Sequence, residues 1–196
     1  MARLESPDEV LVMAAILGDL EAFEELVLRY RAAVVRLAGT IVGSDQAEDV
    51  AQDALLLAFK ALPTLEEPGK FAAWLSAITR HRAFRFSKQE RAQMDKRVAM
   101  DEVLLEKIDA LSRPLLTNSY SGRGVDLYGH GSGVEVMSAL NQLPNEYALP
   151  LRLRFHDEMP LKRIAAFMGI PLSTVKWRLH YGKKLLREKL EDQEKH

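Results

Sequence analysis

The sequence predicts an all-α protein made of two helical domains joined by a flexible linker. Three observations carry this expectation. Apolar residues recur at helical spacing through the first half, an aperiodic glycine-rich stretch follows, and a helix-turn-helix pattern stands near the C-terminus. At 196 residues and 47% hydrophobic content, the chain can bury one medium core or two small ones.

In the first half, Phe23, Leu26, Val27, Tyr30, Val34, Leu37 and Ile41 keep the helical period. "VGSD" breaks that run at Gly43 and offers Ser44 as the cap of a second helix. At about 100° per residue, this second helix gathers Ala47, Val50, Ala54, Leu57, Ala58 and Ala61 on one face, which is expected to be core. The opposite face collects Asp45, Asp49, Gln52 and Asp53 with no cation following closely in sequence, and places Leu56 among them. A solvated face accounts for the acids. The apolar Leu56 suits a docking surface for a basic partner, and both readings stand at this point.

"LPTLEEPGK" supplies Pro63, Pro68 and Gly69 as a loop, after which Phe71, Trp74, Leu75 and Ile78 open a third amphipathic helix. Their spacing assigns Phe71 and Trp74 to the core. The helix runs into a basic island, Arg80, Arg82, Arg85, Lys88, Arg91, Lys96 and Arg97, opposed only by Glu90 and Asp95. Residues 112–133 then hold five glycines without a sustained period, the composition of a tether. No Lys-Ser or Lys-Thr follows these glycines, so they do not read as a phosphate-binding loop. The chain divides into a domain over 8–97, a linker over 98–133 and a domain over 134–192.

In the last part, "LPNEYALPLRLRF" reads as a helix with Pro144 in its first turn and a kink at Pro150. Ala165, Gly169 and Val175 then fall where a helix-turn-helix needs a small residue, a turn glycine and a buried aliphatic, and Ser173 can cap the second helix. Lys176, Arg178, His180 and Lys183 are expected on the exposed start of that helix, where side chains reach base edges and phosphates in a major groove. Trp177 fits either a ring packed on the helix pair or a place at a DNA surface. From Ser173 to Lys189 only Glu188 opposes six cations, so a net charge of −1 hides two basic surfaces suited to a polyanion.

Cysteine is absent, which excludes disulfides and thiolate metal sites. The five histidines are scattered and no HExxH pattern occurs, so neither a metal nor a cofactor is expected and an enzyme is the least favoured class. Acids interrupt the N-terminal segment and no run approaches the roughly 20 apolar residues of a membrane span. A soluble cytoplasmic protein without membrane contact is the expectation.

Three segments in this order, "AEDVAQDALLLAFKAL", "FAAWLSAITRHRAF" and "MGIPLSTVKWRLH", make the chain resemble the extracytoplasmic function (ECF) sigma factors, group 4 of the sigma-70 family of RNA polymerase subunits. The resemblance covers nearly everything but the linker. It implies that 8–97 is sigma region 2 and 134–192 is sigma region 4. It implies that Asp49, Gln52 and Asp53, with Leu56 at their centre, dock on the clamp helices of the polymerase largest subunit, and that region 4 meets the flap of the second-largest. The −10 element is then held as single strand near the loop ending at Lys70, with Arg80, His81, Arg82, Arg85 and Lys88 along the following helix; each stacked base contributes on the order of 1 to 3 kcal/mol. The −35 element falls to Lys176, Trp177, Arg178, His180 and Lys183, with the amides near Ser173 and Thr174 facing a phosphate. His81 stands where many members carry Asn, and Trp177 and Tyr181 replace the usual small residue and Arg. An anti-sigma factor is the further partner implied, and in the free chain the two domains are expected to close on each other or on that inhibitor, hiding both DNA surfaces. The rival readings are a sigma-like decoy that sequesters an anti-sigma factor and a plain helix-turn-helix repressor, which would need no acidic stripe.

Overall fold

Each helix begins or ends where the sequence loses its period, and a positive-φ glycine marks three of the breaks. The computed structural model describes residues 6–95 and 133–193, and these contain eight α-helices and no strand. α1 (Asp8–Ile16) ends before Gly18, and Asp19 caps α2 (Leu20–Val42) by accepting the Ala22 N–H at 3.1 Å. Gly43, at φ 86°, turns the chain directly into α3 (Ser44–Ala61), a conformation open to glycine at no steric cost. Ser44 is therefore the first residue of α3 rather than its cap, and its hydroxyl donates to Asp45 at 2.9 Å. Two 3₁₀ turns, Leu62–Thr64 and Pro68–Lys70, lead into α4 (Phe71–Asp95).

α2, α3 and α4 pack on one another through Leu26, Tyr30, Val34, Val50, Ala54, Ala58, Phe71 and Leu75, all essentially buried. The small residues of α3 let its neighbours approach closely, so its buried arc is narrow. Ala51 falls inside that arc, whereas Leu57, expected in the core, lies at its margin and is 42% exposed.

The remaining helices are α5 (Gly133–Asn141), α6 (Asn145–Phe155), α7 (Leu161–Met168) and α8 (Leu172–Gln193). Pro144 occupies the cap position of α6, and the helix continues through Pro150. Gly169 closes α7 in the left-handed region at φ 66° and sends the chain into α8, while Ala165 and Val175 are buried, as a helix-turn-helix requires. α8 starts at Leu172, so Ser173 sits within its first turn, and the Pro171 carbonyl accepts the Val175 N–H at 3.1 Å.

The two sets of helices touch: α7 packs on α4 and α6 on α2. Tyr30 stacks on Phe167 with centroids 6.0 Å apart, and its hydroxyl donates to Asp8 at 2.5 Å. Burial, then the Asp8 hydrogen bond, pushes the Tyr30 phenol far above its ordinary range, so it stays a donor. Arg163 of α7 lies over the Tyr30 ring at 5.8 Å and 3.5 Å from Asp8, and Arg36 of α2 is paired with Asp157. This closure leaves Arg85, Lys88, Lys176, His180 and Lys183 exposed, so the expected hiding of both basic surfaces does not hold for these residues. The expected linker and, at side-chain level, Arg91, Lys96 and Arg97 lie outside the described residues.

Candidate functional site

α3 turns its small residues inward and thereby holds Asp49, Gln52 and Leu56 outward, with Leu56 53% exposed. The stripe is not wholly unneutralised, as the local sequence suggested. Arg31 of α2 pairs with Glu48, and Arg82 of α4 donates to Asp53 Oδ2 from Nη2 at 2.5 Å and from Nε at 3.2 Å. Both cations come from other helices, beyond the reach of a local reading. Asp49 makes no ion pair among the described residues.

On the same helix pair runs a largely apolar groove of about 310 Å³ between α2 and α3, lined by Leu20, Phe23, Val27, Leu55, Leu56 and Phe59 together with Glu24 and Gln52. Phe59 is 42% exposed although its ring meets Phe23 at 4.9 Å. The sequence pointed to Leu56 alone. Phe59, three residues further along the same side of α3, was the available signal for the groove, and Leu20, just past the α2 cap, was not recognised.

On α4, Phe71 is buried and Trp74 packs against the core, their centroids 5.9 Å apart. The expected DNA-facing set divides. His81, Arg85 and Lys88 are exposed, Arg80 is half-buried with its pKa lowered by burial, Arg82 is held by Asp53, and Lys70 reaches Glu67 at 2.6 Å.

On α8, Ser173, Lys176, Trp177, His180 and Lys183 are exposed and Thr174 is half-buried. Arg178 departs from expectation. It is only 5% exposed, because one helical period places it beside Val175 and Leu179 on the buried side, and its guanidinium faces Glu146 of α6 at 3.8 Å. Lys183 lies 4.5 Å above the Phe155 ring, and Trp177 is stacked on the helix pair, against Tyr181 of α8 and Tyr147 of α6, while remaining 54% exposed, so the expected packing and a surface position hold together. Among the described residues no group of three His, Asp or Glu could hold a metal ion, and no helix is long and apolar enough to cross a membrane.

An acidic face with an apolar groove, a basic helix and a helix-turn-helix thus lie in one chain. Residues 26–93 match the family described as Sigma-70 region 2, and residues 133–186 match Sigma-70, region 4; together these span more than half of the chain. The ECF RNA polymerase sigma factor SigW of Bacillus subtilis is 27% identical over 190 residues, covering 89% of this chain and 92% of its own length. The ECF RNA polymerase sigma-E factor of Escherichia coli is 27% identical over 192 residues, covering 94% of each. Among solved structures, CnrH in complex with the cytosolic domain of CnrY has a similar fold (TM-score 0.54, 21% identity, 94% of this chain and 97% of that one). So does the sigma factor RpoE in complex with the anti-sigma factor NepR from Bartonella quintana (TM-score 0.51, 23% identity, 86% of this chain and 96% of that one).

Proposed function

From the premise that this chain belongs to the sigma-70 family, as an ECF sigma factor, we propose that it directs core RNA polymerase to promoters through three separate surfaces. The observation that carries this reading is the presence, in one chain and in family order, of an acid-rimmed apolar groove and a helix-turn-helix whose second helix presents cations. The division is region 2 over 8–97, a linker over 98–133 and region 4 over 134–192.

Asp49, Gln52, Asp53 and Leu56 form the docking patch for the clamp helices, extended by Leu20 and Phe59. A groove that leaves large apolar side chains in water, rimmed by carboxylates, suits a basic partner helix with an apolar knob. His81, Arg85 and Lys88 contact the −10 strand, while Lys70 and Arg82 reach it only by leaving Glu67 and Asp53. Lys176, His180 and Lys183 meet the −35 duplex, with Ser173 and Thr174 near a phosphate at the start of α8, where the helix dipole favours an anion.

The reading makes the chain a transcription regulator without catalysis of its own, working in the cytoplasm. CnrH is seen in complex with the cytosolic domain of CnrY and RpoE with the anti-sigma factor NepR, and by extension this chain has an anti-sigma partner. The deciding experiment is run-off transcription from a genomic promoter pool by core polymerase with and without the full chain. New initiation sites are expected only when the chain is added. Their absence would sink the proposal and favour a decoy that binds an anti-sigma factor.

A further inference from the structure

The outward arc of α8 carries two kinds of side chain. At 3.6 residues per turn, Lys183, Lys176 and His180 occupy one side and Trp177 and Tyr181, one turn apart, the other, with Lys184 between them. The two aromatic rings lie flat on each other, 5° between planes and 5.5 Å between centroids. Tyr147 of α6 braces both from behind, at 6.0 Å from Trp177 and 5.3 Å from Tyr181. That brace is tight at Gly182: a Cβ there would come to 3.0 Å from the Leu151 Cδ1 and 3.2 Å from the Tyr147 Cβ, so an added methyl would push Leu151 and Tyr147 back by a few tenths of an ångström. Yet Trp177 remains 54% and Tyr181 37% exposed. The packing holds the aromatic pair in place without covering it.

The nearest guanidinium on the helix is turned away from this arc, since Arg178 is buried against Glu146. A bidentate Arg contact to guanine is thereby withdrawn from the start of α8. What faces outward is a preformed apolar ledge beside lysines that suit phosphates. The feature of a major groove that an apolar surface recognises is the C5-methyl of thymine.

We propose that Trp177 and Tyr181 form a specificity ledge that reads thymine methyl groups in the −35 duplex, with Tyr147 and Gly182 as positioning residues. This inference rests on the promoter-directing reading above. Charge selects the partner class: Lys176, His180, Lys183 and Lys184 frame the ledge, and of the carboxylates beside it Glu146 faces Arg178 and Glu188 is paired with Lys184 at 3.9 Å. The two rings are ordered before binding, so little side-chain entropy remains to be lost on contact.

The test uses the full chain as holoenzyme with core polymerase. Promoters are first selected from a genomic pool, and each −35 thymine is then replaced singly by deoxyuridine, which removes only the methyl and leaves pairing intact. The expected result is an affinity loss of about fourfold at one or two thymines, the equivalent of about 0.8 kcal/mol for one buried methyl. Trp177→Ala and Tyr181→Ala holoenzymes should bind thymine and deoxyuridine versions alike at those positions. Gly182→Ala should blunt the methyl preference with the aromatic pair still present, which a role in folding alone would not produce. Indifference of the unmodified holoenzyme to every replacement would overturn the ledge. So would an undiminished methyl preference in both aromatic variants, the outcome if a protein rather than DNA covers these rings. Failure to select any promoter would instead remove the sigma-factor reading, and this inference with it.

Discussion

Arg36 of α2 and Asp157, in the turn ahead of α7, form a two-pronged ion pair: Nη2 donates to Oδ1 at 2.7 Å and Nε donates to Oδ2. His156 Nδ1 lies 2.7 Å from the same Nη2 and 2.9 Å from Asp157 Oδ1. The pair ties the first four helices to the last four. Burial pushes the Asp157 carboxyl up, but the hydrogen bonds and charge of Arg36, and then of His156, outweigh it and hold the carboxyl below its ordinary value. A carboxylate held low in the native state stabilises fully above its ordinary value of 3.8 and loses that contribution as pH falls through the native value. The tie should therefore be intact at pH 7 and weaken below about pH 4. Arg36→Gln should lower unfolding free energy by about 1–3 kcal/mol at neutral pH and flatten this acid-side dependence, as measured by urea titration at several pH values. An unchanged acid-side slope would show that the pair contributes nothing to it.

The groove proposed for docking gives the second expectation. Asp53 already serves Arg82, so charge reversal there would disturb α4 as well; Asp49→Lys and Leu56→Glu are cleaner probes. Each should weaken core polymerase binding by thirtyfold or more, about 2 kcal/mol, with helical content unchanged because both side chains lie outside the core. Phe59→Ala should weaken binding too, and full affinity in all three variants would clear α3 of the interface.

Arg178 provides a third. Buried against Glu146, it should act on every −35 sequence alike when replaced by Ala, destabilising α8 against α6 by about 1–3 kcal/mol. Lys176→Ala should instead leave folding untouched and Lys183→Ala cost only its contact with Phe155, about 0.5–1 kcal/mol, while each reduces the salt slope of holoenzyme binding by about one unit. Titrations over −35 variants at several salt concentrations separate the two behaviours. Selective loss of guanine-containing variants on Arg178→Ala would mean that the side chain swings out to DNA.

At Gly169 the backbone itself is at stake. Alanine there must hold φ near 66°, which costs about 1–2 kcal/mol for a residue with a Cβ, although the space around the added carbon is open. Thermal unfolding should register the loss, and no change would imply that the turn relaxes to another conformation.

Periodicity made α2, α4 and the helix-turn-helix legible, because Leu26, Tyr30, Leu75, Val175 and Gly169 each answer to local rules of helix burial and turning. The site was less legible wherever a residue's fate depends on another helix. Arg82 looked free for DNA until α3 brought Asp53 to it, Arg178 looked exposed until α6 brought Glu146, and Leu57 looked buried until the alanines of α3 narrowed its contact arc. The groove beside Leu56 needed α2 and α3 together, and no single segment contains it. Ser44 and Ser173 were good caps by residue type, but α3 starts one residue and α8 two residues earlier than those caps required.

The contact between α7 and α4 also sets a length. With α7 against α4 and α8 against α7, the basic side of α4 and the outer arc of α8 belong to one packed body, and a compact chain of this length spans on the order of 40 Å. Two promoter elements named for positions about 25 base pairs apart are separated by about 85 Å of B-form DNA at 3.4 Å per step. The closed chain has too short a stride to stand on both. On the promoter-directing reading proposed above, Tyr30 parts from Phe167, and Arg36 from Asp157, before the protein straddles a promoter, and these contacts then fix the order of events: the molecule is pulled apart first and only then measures out its DNA.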